Sequence, residues 1–520
     1  MGVWIDRLVD RLDRQQTWPA GKFKRVGESL GIWIAFRESE RKLLRADHPE
    51  WSDQDRYYQI DPIAPKISDA FASLLFGRRP TIETAADGNQ GRMDEIVEEN
   101  GFPANPQRAV RTGSSEGEVW WRVRVDEDLA DVPLVEWYSR TAVYPLWIGP
   151  RLAAVGFISR YDADDDPRNR NAQVFRHFEI HERGEAVNVL YDGTKTTLGQ
   201  RVDLGAFSET RDLEEEWKHD LPAMLAGRIP NVEGVDPTLG VSDYFRIKDM
   251  LHDLNEALTI GAENARKTLK QRMVAPSSAF DSEGNLIDRE VWAAESLGEE
   301  QDLSGDSKQV PLKVLEYSFE AEKILAWRRG LAEDALGRIG IVPQFVGAGS
   351  PAEGLAQSGT ALRVRLIPTT AAGEERGQFW DDKRAGLPGV LAVCQMVDAL
   401  GREEGGFGVS WTDPAIAPAV ERGSTLPEDE TEVIDRNAAA VQGQIRSRET
   451  AIREQHPDWS DEQVNEELGR IEDDVRNSQP LTGFLNADGL GGNNRNGSGG
   501  DGGEGDDEEA EAPEEEGQLA

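Results

Sequence analysis

The sequence predicts an α+β fold in several parts, on three observations. From residue 118 apolar and polar residues alternate, with Val119, Trp121, Val123 and Val125 against Glu118, Arg122 and Arg124, the pattern of a half-buried strand. From Tyr244 the spacing changes to steps of three and four through Ile247, Leu251, Leu254, Leu258, Gly261, Ala265 and Leu269, which is a helix. A polar, turn-rich insertion over 277–317 then separates this helix from a second one carrying Phe319, Ile324, Trp327, Leu331, Ala335 and Ile339. A length of 520 residues argues for more than one domain.

Taken in order, Met1 to Gln16 sets Val3, Ile5, Leu8 and Leu12 among Asp6, Arg7, Asp10 and Arg11, which suits a short amphipathic helix and not a signal peptide. Residues 17–100 read as mainly helical. Within them Ile63, Ile67, Phe71, Leu74 and Leu75 mark one helix that starts at Pro62 and Pro65 and stops at Gly77 and Pro80. Strands are expected at Glu118–Val125, Leu134–Tyr138, Ala142–Trp147, Leu152–Tyr161, Val174–Ile180, Ala186–Tyr191 and Thr196–Leu204. Short turns at Gly149-Pro150, Arg183-Gly184 and Asp192-Gly193 predict antiparallel, hairpin-linked pairing. The long helix is expected from an N-cap at Ser242 to near Pro276, roughly 30 residues or ~45 Å. Its partner opens after Ser318, so the two helices form a hairpin-like stalk with a small module at the tip.

Residues 343–358 are a loop rich in Gly, Ala and Pro. Thr360 to Leu400 returns to a helical pattern, with breaks or kinks expected at Pro368, Gly373, Gly377, Gly386 and Pro388. Phe407–Trp411 reads as a short strand. Two helices close the ordered part, one through Val433, Val441, Ile445 and Ile452, the other through Val464, Leu468, Ile471 and Val475. His48-Pro-Glu-Trp-Ser-Asp53 is echoed by His456-Pro-Asp-Trp-Ser-Asp461, and both read as helix starts, with a capping box at Ser460 and Gln463.

The formal charge is -39, from 58 Lys+Arg and 97 Asp+Glu, which disfavours tight coating of nucleic acid. Residues 501–520 hold 3 Asp and 7 Glu with no base, and 489–505 hold 9 Gly, so 489–520 reads as a disordered acidic tail. The one cysteine, Cys394, can form no intrachain disulfide, and no apolar run reaches the ~20 residues of a membrane span. A soluble, intracellular protein is expected. No nucleotide loop, His-Glu-x-x-His pair or paired Cys-x-x-Cys is present, and no cofactor or metal is expected. His177 and His181 share one strand face roughly 13 Å apart, too far to chelate one ion, and an exposed sheet face is their expected place. Asp162, Asp164, Asp165 and Asp166 read as a solvated turn. Fourteen Trp and many carboxylates leave a carbohydrate-active enzyme as a rival class, without a spacing signature to support it. One local exception to the acidity is Arg266, Lys267, Lys270 and Arg272 near the end of the long helix. Bases there complement a helix C-terminus, or they meet phosphates or an acidic neighbouring chain.

The order of parts resembles the portal proteins of tailed double-stranded DNA phages. The stretches that carry the likeness are the helix into Phe76-Gly77-Arg78-Arg79-Pro80, the strands Glu118–Asp126 and Leu152–Tyr161, the helix Ser242–Met273 and Ser358-Gly-Thr-Ala-Leu-Arg-Val-Arg365. Gly443-Gln-Ile-Arg-Ser-Arg-Glu-Thr450 followed by Trp459-Ser-Asp-Glu-Gln463 completes it. The resemblance implies an antiparallel wing over 1–240, stem helices at 241–273 and 318–340 flanking a small α/β clip at 274–317, and a tunnel loop at 341–358. It further implies a kinked helix returning to the wing over 359–426, a helical crown at 427–480 and the tail at 481–520. By the same likeness the protein is no enzyme but one subunit of a ring, twelve in number, at a capsid vertex. Double-stranded DNA would be packaged and ejected through that ring, with terminase, capsid and scaffolding proteins and a head-tail adaptor as partners and no membrane. Its place would be the virion, after assembly in the host cytoplasm. Arg266, Lys267, Lys270 and Arg272 are then candidates to face the DNA channel, and Gln344, Phe345, Val346, Ser350 and Glu353 to form the tunnel loop. Another virion structural protein is a third reading.

Overall fold

The computed structural model describes residues 2–15, 17–19, 21–48, 58–85, 88–162, 169, 172–269, 272–274, 300–301, 307–308, 313–315, 321–348, 359–423, 437–443, 446–456 and 459–478. They fall in two compact units, Met1–Pro427 and Glu428–Ala520. The tail 489–520 lies outside the described residues, as do Asp164, Asp165 and Asp166.

The first unit mixes helices with antiparallel sheets. Helix α1 (Val3–Asp13) buries Ile5, Leu8 and Leu12 of the predicted stripe together with Val9, while Val3 is exposed. Gly2 offers no side-chain cap, and the Glu182 carboxylate takes that place, accepting from the backbone N–H of Trp4 and Ile5 at 2.9 and 2.8 Å. Helices α2 (Gly21–Glu38), α3 (Arg41–Asp47) and α4 (Ile63–Phe76) follow, α4 starting after Pro62 and stopping at Gly77 as expected. Strand β1 (Thr81–Glu83), α5 (Gln90–Glu99) and α6 (Ala104–Glu116) lead into the sheets.

Strands β2 (Glu118–Arg124) and β3 (Leu134–Tyr138) make a three-stranded sheet with a later strand, Ala226–Pro230, in which β2 is central. The larger sheet runs β4 (Val143–Ile148), β5 (Arg151–Asp162), β6 (Gln173–Glu182), β7 (Glu185–Thr194) and β8 (Gln200–Val202), with β9 (Glu216–Lys218) also on β7. Their hairpins turn at Gly149 and Gly184, whose φ of +59° and +85° suit glycine. The expected strand at 196–204 is shorter, because Leu204–Ala206 is already a 3-10 turn capped by Asp203.

One face of β6 carries Phe178 and Ile180 into a core shared with α1. The other carries His177, Glu179 and His181, and it is not exposed: His177 and His181 are buried. The correction has a physical cause, since a second polar surface covers this one. Arg122 from β2 pairs with both Glu179 and Glu136, His181 Nε2 lies 2.8 Å from Glu179 Oε1, and His177 Nε2 lies 2.9 Å from Asn188 Oδ1. Burial pushes the Glu179 carboxyl up, but His181 and Arg122 outweigh it and hold it at about 2.

Nearby His219 is pushed down to about 4, first by burial and then by His181. A base with a depressed folded pKa stabilises the fold fully above its unfolded value near 6.5 and loses that contribution as pH falls towards 4, because only the unfolded chain then binds the proton. Urea unfolding between pH 7 and 4 should therefore show falling stability, with a slope of up to ~1.4 kcal/mol per pH unit from this one proton. The His219→Gln variant should flatten the slope, and an unchanged slope would clear His219.

After Ala226–Pro230, named β10, Gly240 passes Gly117 so closely that a Cβ on Gly240 would sit 1.9 Å from the Gly117 carbonyl oxygen. This contact brings the chain back to α6 just before helix α7 (Lys248–Leu269). The long helix is shorter than expected. Ser242 is no helix cap: its Oγ accepts from Tyr244 N–H at 3.0 Å in the turn before a 3-10 segment, Phe245–Ile247, and α7 itself begins at Lys248. It does not continue to Pro276, since Arg272–Val274 is strand β11, paired with Lys313–Leu315. The insertion between the stem helices is described only in this pair and in Glu300–Gln301 with Ser307–Lys308.

Helix α8 (Ala321–Arg338) is followed by α9 (Gly359–Trp380) and α10 (Leu387–Ala399). Pro368, Gly373 and Gly377 do not interrupt α9, and the break comes only before Gly386 and Pro388. The glycines allow close packing: a Cβ at Gly373 would meet Leu74 at 3.4 Å, and one at Gly377 would strike the Arg422 guanidinium. Cys394 is buried on α10, and burial pushes its thiol up. Phe407–Trp411 is not a strand. Trp411 instead donates Nε1–H to Asp398 at 2.9 Å, and the strand that pairs with β1 is Ala419–Glu421.

In the second unit the first closing helix is two pieces, 437–442 and Arg448–Gln455, with Val433 and Ile445 outside the described residues. The last helix spans Asp461–Ser478, and its capping box is present: Ser460 N–H donates to Gln463 Oε1 at 2.9 Å, and Gln463 N–H to Ser460 Oγ at 3.5 Å. No helix of the described residues is long and apolar enough to cross a membrane.

Candidate functional site

The pair α7 and α8 is anchored at one end and less buried toward the other. In α7, Leu251, Leu254 and Ala257 are buried, and polar residues on the same helix tie it to 47–61. Asp47 receives Lys248 Nζ at 2.7 Å and lies 3.0 Å from His252 Nε2. Burial raises the Asp47 carboxyl, but its hydrogen bonds to Lys248 and His252 prevail and lower it. Asn255 Oδ1 accepts from Asp61 N–H at 2.7 Å, and Thr259 Oγ1 accepts from Gln59 N–H at 2.9 Å. Arg328 of α8 reaches the Asp61 carboxylate, so one short segment fixes both helices.

Beyond Thr259 the burial stops. Residues 260–265 are half-buried, and Arg266 and Thr268 are exposed. Gly261 faces Ile324 of α8, where an added Cβ would stand 3.3 Å from the Ile324 side chain. On α8 the expected apolar stripe is uneven: Ala335 and Ile339 are buried, Ile324 and Leu331 half-buried, and Trp327 and Leu325 are 47% and 56% exposed. Phe319 lies outside the described residues.

Of the predicted channel bases, Arg266 is on the exposed final turns of α7, and Lys267 is on the same helix with its side chain outside the described residues. Lys270 is outside them, and Arg272 stands on β11 and not on the helix, which corrects its expected place. The structure thus separates a helical pair from a strand residue.

In the loop, Pro343–Val346 forms a 3-10 turn closed by Gly347 at φ +69°. Gln344, Phe345 and Val346 are half-buried, with Phe345 and Val346 against the main core, while Ser350 and Glu353 lie outside the described residues. Beside this turn is a cavity of about 220 Å³ lined by Lys66, Leu325, Arg328, Arg329, Asp61 and Ala348 among others. Three bases and one acid meet there from α4, α8 and the segment before α4. The sequence shows Arg328 and Arg329 side by side, but nothing in it brings Lys66 to them. Among the described residues no group of three His, Cys, Asp or Glu is placed to hold a metal ion.

Residues 59–380 match the family described as phage portal protein, SPP1 Gp6-like. The chain belongs to this portal family. The match opens just before α4 and ends on the last residue of α9, so the hairpin, the 3-10 turn and both sheets lie inside it. Among solved structures, a chain of the virion of a native gene transfer agent (GTA) particle is similar at 9% identity and a TM-score of 0.36, covering 84% of this chain and 93% of that one. A chain of the neck of the native GTA particle, computed with C12 symmetry, is similar at 11% identity and a TM-score of 0.35, with 76% and 90% covered. A third, from the neck of the empty particle with C6 symmetry, shows 10% identity and a TM-score of 0.34, with 74% and 85% covered. No curated protein matches the chain.

Proposed function

We propose that this portal-family chain is the subunit of a closed ring, of twelve copies, at one capsid vertex, through which double-stranded DNA enters and later leaves the virion. The observation that carries the reading is the family match across the whole stem hairpin. The hairpin's physics supports it. A helix pair that leaves Trp327 and Leu325 exposed and α7 no more than half-buried over 260–265 gains from neighbours, and a ring supplies neighbours on both sides. The role is mechanical and not enzymatic: terminase drives the DNA from the insertion side, and scaffolding, capsid and head-tail adaptor proteins dock elsewhere, with assembly in the host cytoplasm. A channel wall of net negative charge lets a duplex slide, because it repels phosphates and offers few sites at which they stick. Trp33, Trp120, Trp121 and Trp380 are buried, which removes these four from the candidates for sugar platforms.

Native mass measurement with negative-stain imaging tests the ring directly. The expected result is a ring with a central hole a few nanometres wide, sized for a duplex about 20 Å across. A monodisperse single chain under all conditions of salt and concentration would sink the proposal.

A further inference from the structure

The row of side chains that β6 turns toward α1 reads Val174, Arg176, Phe178 and Ile180, so a guanidinium stands in an apolar register. Arg176 is 1% exposed. The other buried arginines are Arg122, Arg140 and Arg376, and each is paired with a carboxylate: Glu136 and Glu179, Glu118, and Asp243. Arg176 has no such partner among the described residues. Its Nη1 and Nη2 donate to the carbonyls of Thr197 and Thr194 at 3.0 and 2.8 Å, and its buried Nε finds no acceptor. Burial first, and then the nearby Arg160, hold its pKa down at about 10, against the opposing pull of Asp162, which makes no ion pair with it. A buried charge without a paired carboxylate is costly, and an anionic ligand that supplies the pair relieves that cost.

Arg176 lines a pocket of about 370 Å³ whose other polar or aromatic walls are Trp18, Arg140, Arg160, Lys195 and Thr141. Among the described residues no carboxylate lines it. Arg140 and Arg160 do carry ion pairs, to Glu118 at 2.7 Å and Asp162 at 2.8 Å, but neither acid is part of the wall. The Trp18 ring lies 5.6 Å from the Arg176 guanidinium, which screens the charge from one side without neutralising it. In a chain of net charge -39, four bases around one half-open pocket are a local reversal of sign.

We infer that this pocket binds a compact oxyanion of the phosphate class, with Arg176 as its buried counter-charge and Lys195 and Arg160 toward its more exposed side. Guanidinium forks match tetrahedral oxyanions in geometry as well as charge. The inference rests on the pocket alone and stands apart from the channel reading.

The test is titration of the full chain with inorganic phosphate at constant ionic strength, read by calorimetry and by Trp fluorescence. One saturable site per chain is expected, with affinity falling about tenfold or more when Arg160→Glu and Lys195→Glu are combined, as the loss of charge-assisted contacts implies. Arg176→Leu should abolish binding. Should that variant fail to fold, the double variant decides alone. A twelve-residue oligothymidylate without terminal phosphate separates the two sources of the group: competition with phosphate assigns a nucleic-acid backbone, and no competition assigns a free phosphate. Phosphate that acts no differently from chloride, or that binds the double variant or a folded Arg176→Leu unchanged, overturns the inference.

Discussion

Replacing Arg376 by methionine should destabilise the first unit by about 3–5 kcal/mol, the usual result of removing one partner from a buried ion pair. Arg376 lies on α9 with its side chain buried, and its Nη2 pairs with the equally buried Asp243, just before the turn into α7. Its Nη1 donates to the Ala372 carbonyl at 2.6 Å, and its guanidinium carbon stands 3.7 Å from the centre of the Phe71 ring on α4. Asp243 in turn accepts from Ser114 Oγ of α6 at 2.7 Å. Ser114 Oγ is 3.1 Å from Ser68 Oγ, which is 2.7 Å from the Tyr244 hydroxyl. Four elements distant in sequence are thereby joined at one buried point. With Arg376 gone, Asp243 keeps only neutral partners, and the cost is that of an uncompensated carboxylate. Urea midpoints checked by far-UV circular dichroism measure the loss. A double cycle with Asp243→Leu should give a coupling of about 2 kcal/mol or more, because the double variant buries no orphan charge. Additive losses would mean that the pair acts only through shape.

How far the sequence announces this structure depends on whether a signal is local. The period-two run at 118–124, the Pro62 and Gly77 ends of α4 and the Ser460/Gln463 box are all set by neighbours within a turn or two, and each is found in place. Where distant chain decides, the reading fails. The strand after α10 is Ala419–Glu421, paired with Thr81–Glu83, and not 407–411, a choice made across the whole unit and unmarked in either segment. Histidines at 177 and 181 alternate as an exposed face would, yet Arg122 from another sheet covers them. The glycines of α9 resemble helix breakers until Leu74 and Arg422 are seen against them. The site follows the same rule. The two helices and the insertion between them are visible in the sequence. The end of α7 is not, because Met273 and Val274 become strand only through Val314 and Lys313 on the far side of the insertion.

That early end sharpens what the bases at the tip can do, and a triple variant, Arg266→Gln, Lys267→Gln and Lys270→Gln, separates the alternatives. With α7 ending at Leu269, Arg266 and Lys267 sit in its last turn, where complementing the helix dipole is worth about 0.3–1 kcal/mol. If that were their whole role, the variant would lose a few tenths to one kcal/mol in stability and nothing else. If they meet phosphates, each neutralised base removes about one unit from the slope of log affinity against log salt, and three bases repeated around a ring act together on one duplex. The expected result is a ring of unchanged mass and near-unchanged stability, with the yield of DNA-filled particles reduced about tenfold or more. Charge and not shape should govern the effect, so the Arg266→Lys, Lys267→Arg and Lys270→Arg exchange should package normally. Packaging at the unaltered level in the glutamine variant, with a small fall in melting temperature, would return the cluster to helix capping. A variant that no longer forms rings would place the same bases at the contact between neighbouring subunits, against the exposed acids of an adjacent stem.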